Sequence, residues 1–108
     1  MNTHLKISTR KNDATPMLII KGDITAVTGG AITDVYNGED ISNAERITLH
    51  FDQSCYINSG GIAFLIEILR IGRKKGQKIC ASGLSDHYRM IFRMLGLTRY
   101  MEIFPAQS

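Results

Sequence analysis

The sequence predicts a mixed α/β fold, and three observations carry that prediction. Apolar runs rich in β-formers alternate with helix-periodic segments, as a sheet flanked by helices requires. Two short apolar segments at the start are separated by turn residues, so the sheet opens with an antiparallel hairpin and is mixed. With 108 residues, 44% apolar and 21% charged, the chain has the size and composition of one compact globular unit, so a single domain over residues 1–108 is expected.

The hairpin arms run near Leu5 to Ser8 and Met17 to Lys21, with Lys11-Asn12-Asp13 supplying turn chemistry. Gly22-Asp23-Ile24-Thr25 leads into a helical segment from about Ala26 to Tyr36, weakened by Gly29 and Gly30 because glycine costs a helix interior roughly 1 kcal/mol relative to alanine. Asn37-Gly38-Glu39-Asp40 reads as loop, and Arg46 to Phe51 as a strand. From Ser59 to about Lys75, the residues Ile62, Leu65, Ile66 and Leu69 fall at the spacing of a buried helical face. Phe64, Ile68 and Ile71 widen that face beyond the roughly 100° arc one contact surface needs, so this helix is expected to have two neighbours. Gly76 stops it, and Lys78 to Ser82 forms another strand. Ser85 caps a helix whose buried spacing is Tyr88, Ile91, Phe92 and Leu95, and Gly96 with Leu97 behind it suits a left-handed C-terminal cap. An extended piece from Tyr100 to Phe104 precedes Pro105.

Charge and cysteine usage exclude several classes. Thirteen Lys plus Arg against ten Asp plus Glu give a net charge of +3. Much of the excess lies in Arg70, Arg73, Lys74, Lys75 and Lys78, around a helix C-terminus, where cations gain about 0.3–1 kcal/mol each from the dipole. Aromatic residues are not interleaved with them as a base-stacking surface requires, so no nucleic-acid partner is expected. Apolar runs are far shorter than a membrane span and the first residues lead into no signal-like segment, which points to a cytoplasmic protein that is not membrane-embedded. Cys55 and Cys80 are expected to be free thiols.

The residues with chemical potential do not assemble into a catalytic pattern. His50 and Asp52 share one strand face near Cys55, but no helix N-terminus backs that thiol, so no catalytic residues are assigned and no enzyme is expected. His4, His50 and His87 stand singly, without the ligand pairs of a metal site, and no cofactor is implied. Asn58-Ser59-Gly60-Gly61 is too short for a phosphate-binding Walker loop and lacks its lysine. What remains is a helix start: Asn58 or Ser59 caps it, with the Ser59 hydroxyl expected to do so, and Gly60 and Gly61 are expected to leave its first N–H groups uncovered in a partner-facing knob.

In element order, and in the blocks Tyr56-Ile57-Asn58-Ser59-Gly60-Gly61-Ile62 and Ile91-Phe92-Arg93-Met94-Leu95-Gly96-Leu97, most of the chain resembles the STAS domain of bacterial anti-sigma factor antagonists. Gly22-Asp23-Ile24-Thr25 matches the family's Gly-x-Leu-Asp before its first helix. The resemblance implies a mixed sheet of four to five strands with helices packed mainly on one face. It also implies a non-enzymatic module for transcription regulation by partner switching, in which a phosphorylatable serine controls capture of an anti-sigma factor that is a serine kinase. Aligned by position, that serine is Gly60, Asn58 stands for the family's Asp, and Thr25 for the acidic residue before the first helix. Ser59 is then the displaced phosphoacceptor candidate, turned about 100° around the helix from the family's position, which favours binding without phosphorylation. The implied partner-binding residues are Asp23, Thr25, Asn58, Ser59, Gly60, Gly61 and Ile62, with Phe64 and Ile68 farther out.

Two further roles are consistent with the same resemblance. One is an accessory subunit of a transporter, including lipid-transport ABC complexes, docked on an ATPase without serine phosphorylation. The other is a sensor of a small molecule or nucleotide at the helix start. The family's additional helix after the last strand has no counterpart before Pro105-Ala106-Gln107-Ser108, so one side of the sheet or of the wide apolar helix is expected to be completed by a partner or by homodimerisation.

Overall fold

The computed structural model describes residues 5–12 and 15–104. Strand β1 (Leu5–Asn12) pairs antiparallel with β2 (Thr15–Ile24) in a continuous register from Leu5 opposite Gly22 to Asn12 opposite Thr15. Both arms are longer than their apolar centres, because backbone pairing carries the ladder through the polar residues Thr9, Arg10 and Lys11. Lys11 and Asn12, expected in the turn, therefore belong to β1, while Asp13 lies outside the described residues.

Parallel strands complete the sheet: β3 (Arg46–Phe51) beside β2, then β5 (Lys78–Ser82) and β6 (Glu102–Ile103), giving the order β1-β2-β3-β5-β6. A two-residue strand, β4 (Tyr56–Ile57), pairs with the end of β2, Asp23 opposite Tyr56 and Ile24 opposite Ile57. The sheet is mixed, as expected. The last strand is shorter than Tyr100 to Phe104, since Tyr100 and Met101 close a 3-10 turn at Leu97–Arg99 before pairing begins.

The helices are α1 (Gly29–Tyr36), α2 (Glu39–Ser42), α3 (Ser59–Lys75) and α4 (Asp86–Met94). Side-chain alternation puts Leu18, Ile20, Ile47, Leu49, Phe51, Ile79 and Ala81 into one core with them. The Phe92 ring of α4 meets Phe51 edge-on at 6.2 Å, and a Cβ at Gly72 of α3 would lie 2.6 Å from Ile79. Helix α3 has the two expected neighbours, the sheet and α1: Gly29 is the seat for the Phe64 ring, 2.2 Å from where a Cβ would be. The opposite sheet face carries Met17, Ile19, Thr48, His50 and Cys80, none of which belongs to this core.

Several local expectations are corrected. Helix α1 starts at Gly29 rather than Ala26, because Thr25 and Thr28 bind the backbone of the preceding turn. The segment expected as loop, Asn37 to Asp40, runs into α2, one helical turn with Glu39 and Asp40 at its positive end and Ile41 buried. On α3 it is Ile68, fully buried, that completes the core, whereas Ile66 is 37% exposed. Leu95 is also exposed: it is the C-cap of α4, Gly96 turns the chain through the left-handed region at φ 77°, and Leu97 takes the buried place.

The cap positions read from sequence are otherwise observed. Ser85 accepts the Tyr88 N–H, and Gly76 ends α3 at φ 74°. The basic run does dipole and packing work: Arg73, Lys74 and Lys75 lie in the last turn of α3, Lys75 donates to the Ser42 carbonyl, and Arg73 stacks over Tyr100. Cys55 and Cys80 are free and buried, and burial pushes both thiols up from their ordinary value.

Candidate functional site

The site forms where β2 and β4 end side by side and hand the chain to α1 and α3. After Ile24, the residues Thr25 to Thr28 close a compact turn. The Thr25 N–H donates to Thr28 Oγ1 (2.9 Å), the Val27 N–H donates to Thr25 Oγ1 (3.1 Å), and the Thr28 hydroxyl donates to the Asp23 carbonyl (2.6 Å). Both threonine hydroxyls are spent on holding the turn. Its tip, Val27, is 82% exposed.

Helix α3 begins against this turn. The Asn58 N–H donates to the Ile24 carbonyl (3.1 Å), and Asn58, extended at φ −101° and ψ −179°, accepts the Gly61 N–H on its side-chain oxygen (2.9 Å). Asn58 is therefore the cap, and the expected capping by Ser59 is corrected. Ser59 is already the first helical residue, and it is exposed.

The two glycines that follow have a structural reason. A Cβ on Gly61 would sit 2.1 Å from the Ile24 carbonyl oxygen, and one on Gly60 would sit 2.7 Å from Ala26 Cβ and 2.8 Å from Ala26 N. They let the turn and the helix start touch backbone to backbone. The expectation that they uncover the first N–H groups in a free knob is corrected at Gly61, which is buried and whose N–H is taken by Asn58.

Of the expected surface, Ser59 is exposed, and Asp23, Thr25, Asn58, Gly60, Ile62 and Phe64 are partly covered; Gly61 and Ile68 are sealed from any partner by the core. Two exposed apolar residues, Val27 and Tyr56, belong to the same corner and were missed. Ala26 packs against Gly60, so the turn that carries Val27 abuts the first turn of α3, and Tyr56 stands opposite Asp23 in the ladder. The Thr25-x-x-Thr28 spacing was the available signal for this turn. From α4, the Tyr88 hydroxyl accepts the Ile57 N–H (2.9 Å) and braces β4 from behind.

A helix-covered mixed sheet with such a corner defines a class of small α/β domains whose feature is a braced loop at a helix start. The family model described as Mlab, STAS domain matches residues 7–104, and the chain belongs to that STAS family. Its fold is shared with the crystal structure of an anti-sigma factor antagonist from Mycobacterium paratuberculosis, at 15% identity and TM-score 0.76, covering 98% of this chain and 90% of that one. It is shared too with the anti-sigma factor antagonist SpoIIAA in its unphosphorylated form, at 11% identity and TM-score 0.65, covering 94% and 90%. No curated protein sequence matches the chain. Among the described residues there is no group of three or more His, Cys, Asp and Glu placed to hold a metal, and no helix is long and apolar enough to cross a membrane.

Proposed function

We propose that this chain is a non-enzymatic STAS interaction domain that binds an anti-sigma factor, or a related kinase-fold ATPase, through the turn at Thr25 to Thr28 and the start of α3. The observation that carries the proposal is the exposed Val27 on a turn that is fixed by threonine hydrogen bonds and packed against Gly60 at the start of α3. A loop held in one conformation loses little entropy on binding, and an exposed aliphatic tip supplies apolar area to a partner. Asp23, Thr25, Asn58, Ser59, Gly60 and Ile62 frame the contact, while Gly61 and Ile68 support it from beneath.

A second reading, an accessory subunit docked on a transporter ATPase, is favoured by Gly60. The position carries no hydroxyl and is packed against Ala26, so binding there proceeds without phosphate control at that residue.

Affinity purification of the tagged chain from its native cell tests both. An ATPase-type partner retained by the wild type and by Met94→Asp, but lost with Val27→Asp and with Ser59→Arg, supports the proposed surface. Retention by all variants refutes it. A kinase-type regulator of a sigma factor identifies the first reading, and a membrane-bound transport ATPase the second. Incubation with the captured kinase and ATP is expected to add no phosphate. Modification that disappears in Ser59→Ala would restore the switch.

A further inference from the structure

The sheet face turned away from the helices has its own chemistry. Its residues follow from the strand register: Lys6, Ser8 and Arg10 of β1; Met17, Ile19 and Lys21 of β2; Arg46, Thr48 and His50 of β3; Lys78, Cys80 and Ser82 of β5; Glu102 of β6. In the middle, Met17 and Ile19 are half-buried beside Thr48 and Cys80, which are 8% and 2% exposed although no described helix packs on them. His50 Nδ1 and Ser82 Oγ pair at 2.8 Å and leave the centre with few free polar groups.

Five cations surround that centre. Arg46 and Lys78 are paired in register at one end, Lys6 and Lys21 at the other, and Arg10 flanks Met17 on the edge. The two ends are about 20 Å apart, six residues along β3. Glu45, Asp52 and Glu102 are the acidic groups nearby, and both ion pairs found among the described residues lie on helices, Glu67 with Arg70 and Asp86 with Arg89. Protection of an edge strand against pairing accounts for Lys6 and Arg10 but not for Lys21, Arg46 and Lys78 on inner strands.

We propose that this face is a second docking surface, separate from the α3 corner, and that its occupant is an acidic polypeptide segment with a short apolar centre. Charge complementarity selects it: carboxylates at both ends meet the cation pairs, and apolar residues between them cover the half-buried Met17 and Ile19. A second copy of the chain would set five cations against five, with only Glu45, Asp52 and Glu102 on each side to offset them. A membrane surface needs apolar side chains that protrude into the headgroups, whereas Thr48 and Cys80 at this centre are buried and Met17 and Ile19 half-buried.

The test is fluorescence anisotropy of the full chain with a labelled peptide that has glutamates on both sides of a short leucine stretch. Saturable binding that weakens with salt is expected. Arg46→Gln with Lys78→Gln, and Lys6→Gln with Lys21→Gln, each weaken it about fivefold, the scale of two surface charge contacts. Arg70→Gln with Lys74→Gln on α3, and Ser59→Arg at the other site, leave it unchanged. Titrating the peptide into the unmodified chain shifts backbone amide resonances in β2, β3 and β5. The proposal is overturned by no binding, by equal weakening in all pairs, by shifts confined to the helices, or by tighter binding of phosphatidylglycerol vesicles or a short DNA duplex.

Discussion

Replacing Gly61 with alanine tests the close approach on which the functional corner depends. The new Cβ would lie 2.1 Å from the Ile24 carbonyl oxygen and 2.5 Å from its carbon, both backbone atoms of a paired strand. Neither moves without displacing the end of β2, so the cost falls at the upper end of overpacking, about 3 kcal/mol. Displacement also loosens the bond from the Asn58 N–H to the Ile24 carbonyl, for about 1 kcal/mol more. Alanine's helix preference returns up to about 1 kcal/mol, leaving a net loss of about 3 kcal/mol. The control is Gly30→Ala: the same exchange in α1, with nothing within 4 Å of the added carbon, should stabilise by about 0.5 kcal/mol. Denaturant unfolding measures both, and thermal unfolding should show Gly61→Ala lowered by about 12–24 °C. A Gly61→Ala midpoint within about 0.5 kcal/mol of wild type would refute the backbone contact between β2 and α3.

Asn58→Ala removes the α3 cap and should cost about 1 kcal/mol, while Ser59→Ala should leave the unfolding midpoint unchanged; equal losses would return the cap to Ser59. Gln77→Leu should cost about 2–3 kcal/mol in denaturant unfolding, because the buried amide accepts the Tyr36 hydroxyl and donates to the Ile41 and Ala44 carbonyls, of which only the Ile41 carbonyl keeps another donor, the Ala44 N–H; a neutral result would contradict this network. Burial raises the Cys55 and Cys80 thiols above 9.0 and the Tyr36 phenol above 10.0, so the unfolded chain loses these protons first. Their contribution is therefore complete below the unfolded values and declines as pH rises past them towards the folded ones. The denaturant midpoint should fall between about pH 7 and pH 10, less steeply in a Cys55→Ala, Cys80→Ala variant, and a flat profile would oppose this account.

Much of the architecture was legible because it rests on local rules. The strands Arg46–Phe51 and Lys78–Ser82, the caps Ser85, Gly76 and Gly96, and the span of α3 depend on residues a few positions apart, and each appears where its spacing places it. The wide apolar arc of α3 correctly required two neighbours, but periodicity did not say which flank each would cover. Ile66 and Ile68 lie about 200° apart on a helical wheel, both within the wide apolar arc, and only the placement of the sheet and α1 seals Ile68 and leaves Ile66 outside.

The functional corner divides in the same way. That a helix begins after Asn58 and that small residues follow it are properties of the sequence alone, as is membership of the STAS family in the blocks that carry it. That Asn58 caps, that the glycines serve a backbone contact, and that the turn bearing Val27 abuts the start of α3 were decided only when β2 and β4 were brought side by side. The physical reason is range: caps and periodicities are settled within one or two turns of chain, whereas contact between residues 24–26 and 60–61 exists only after non-local strand pairing.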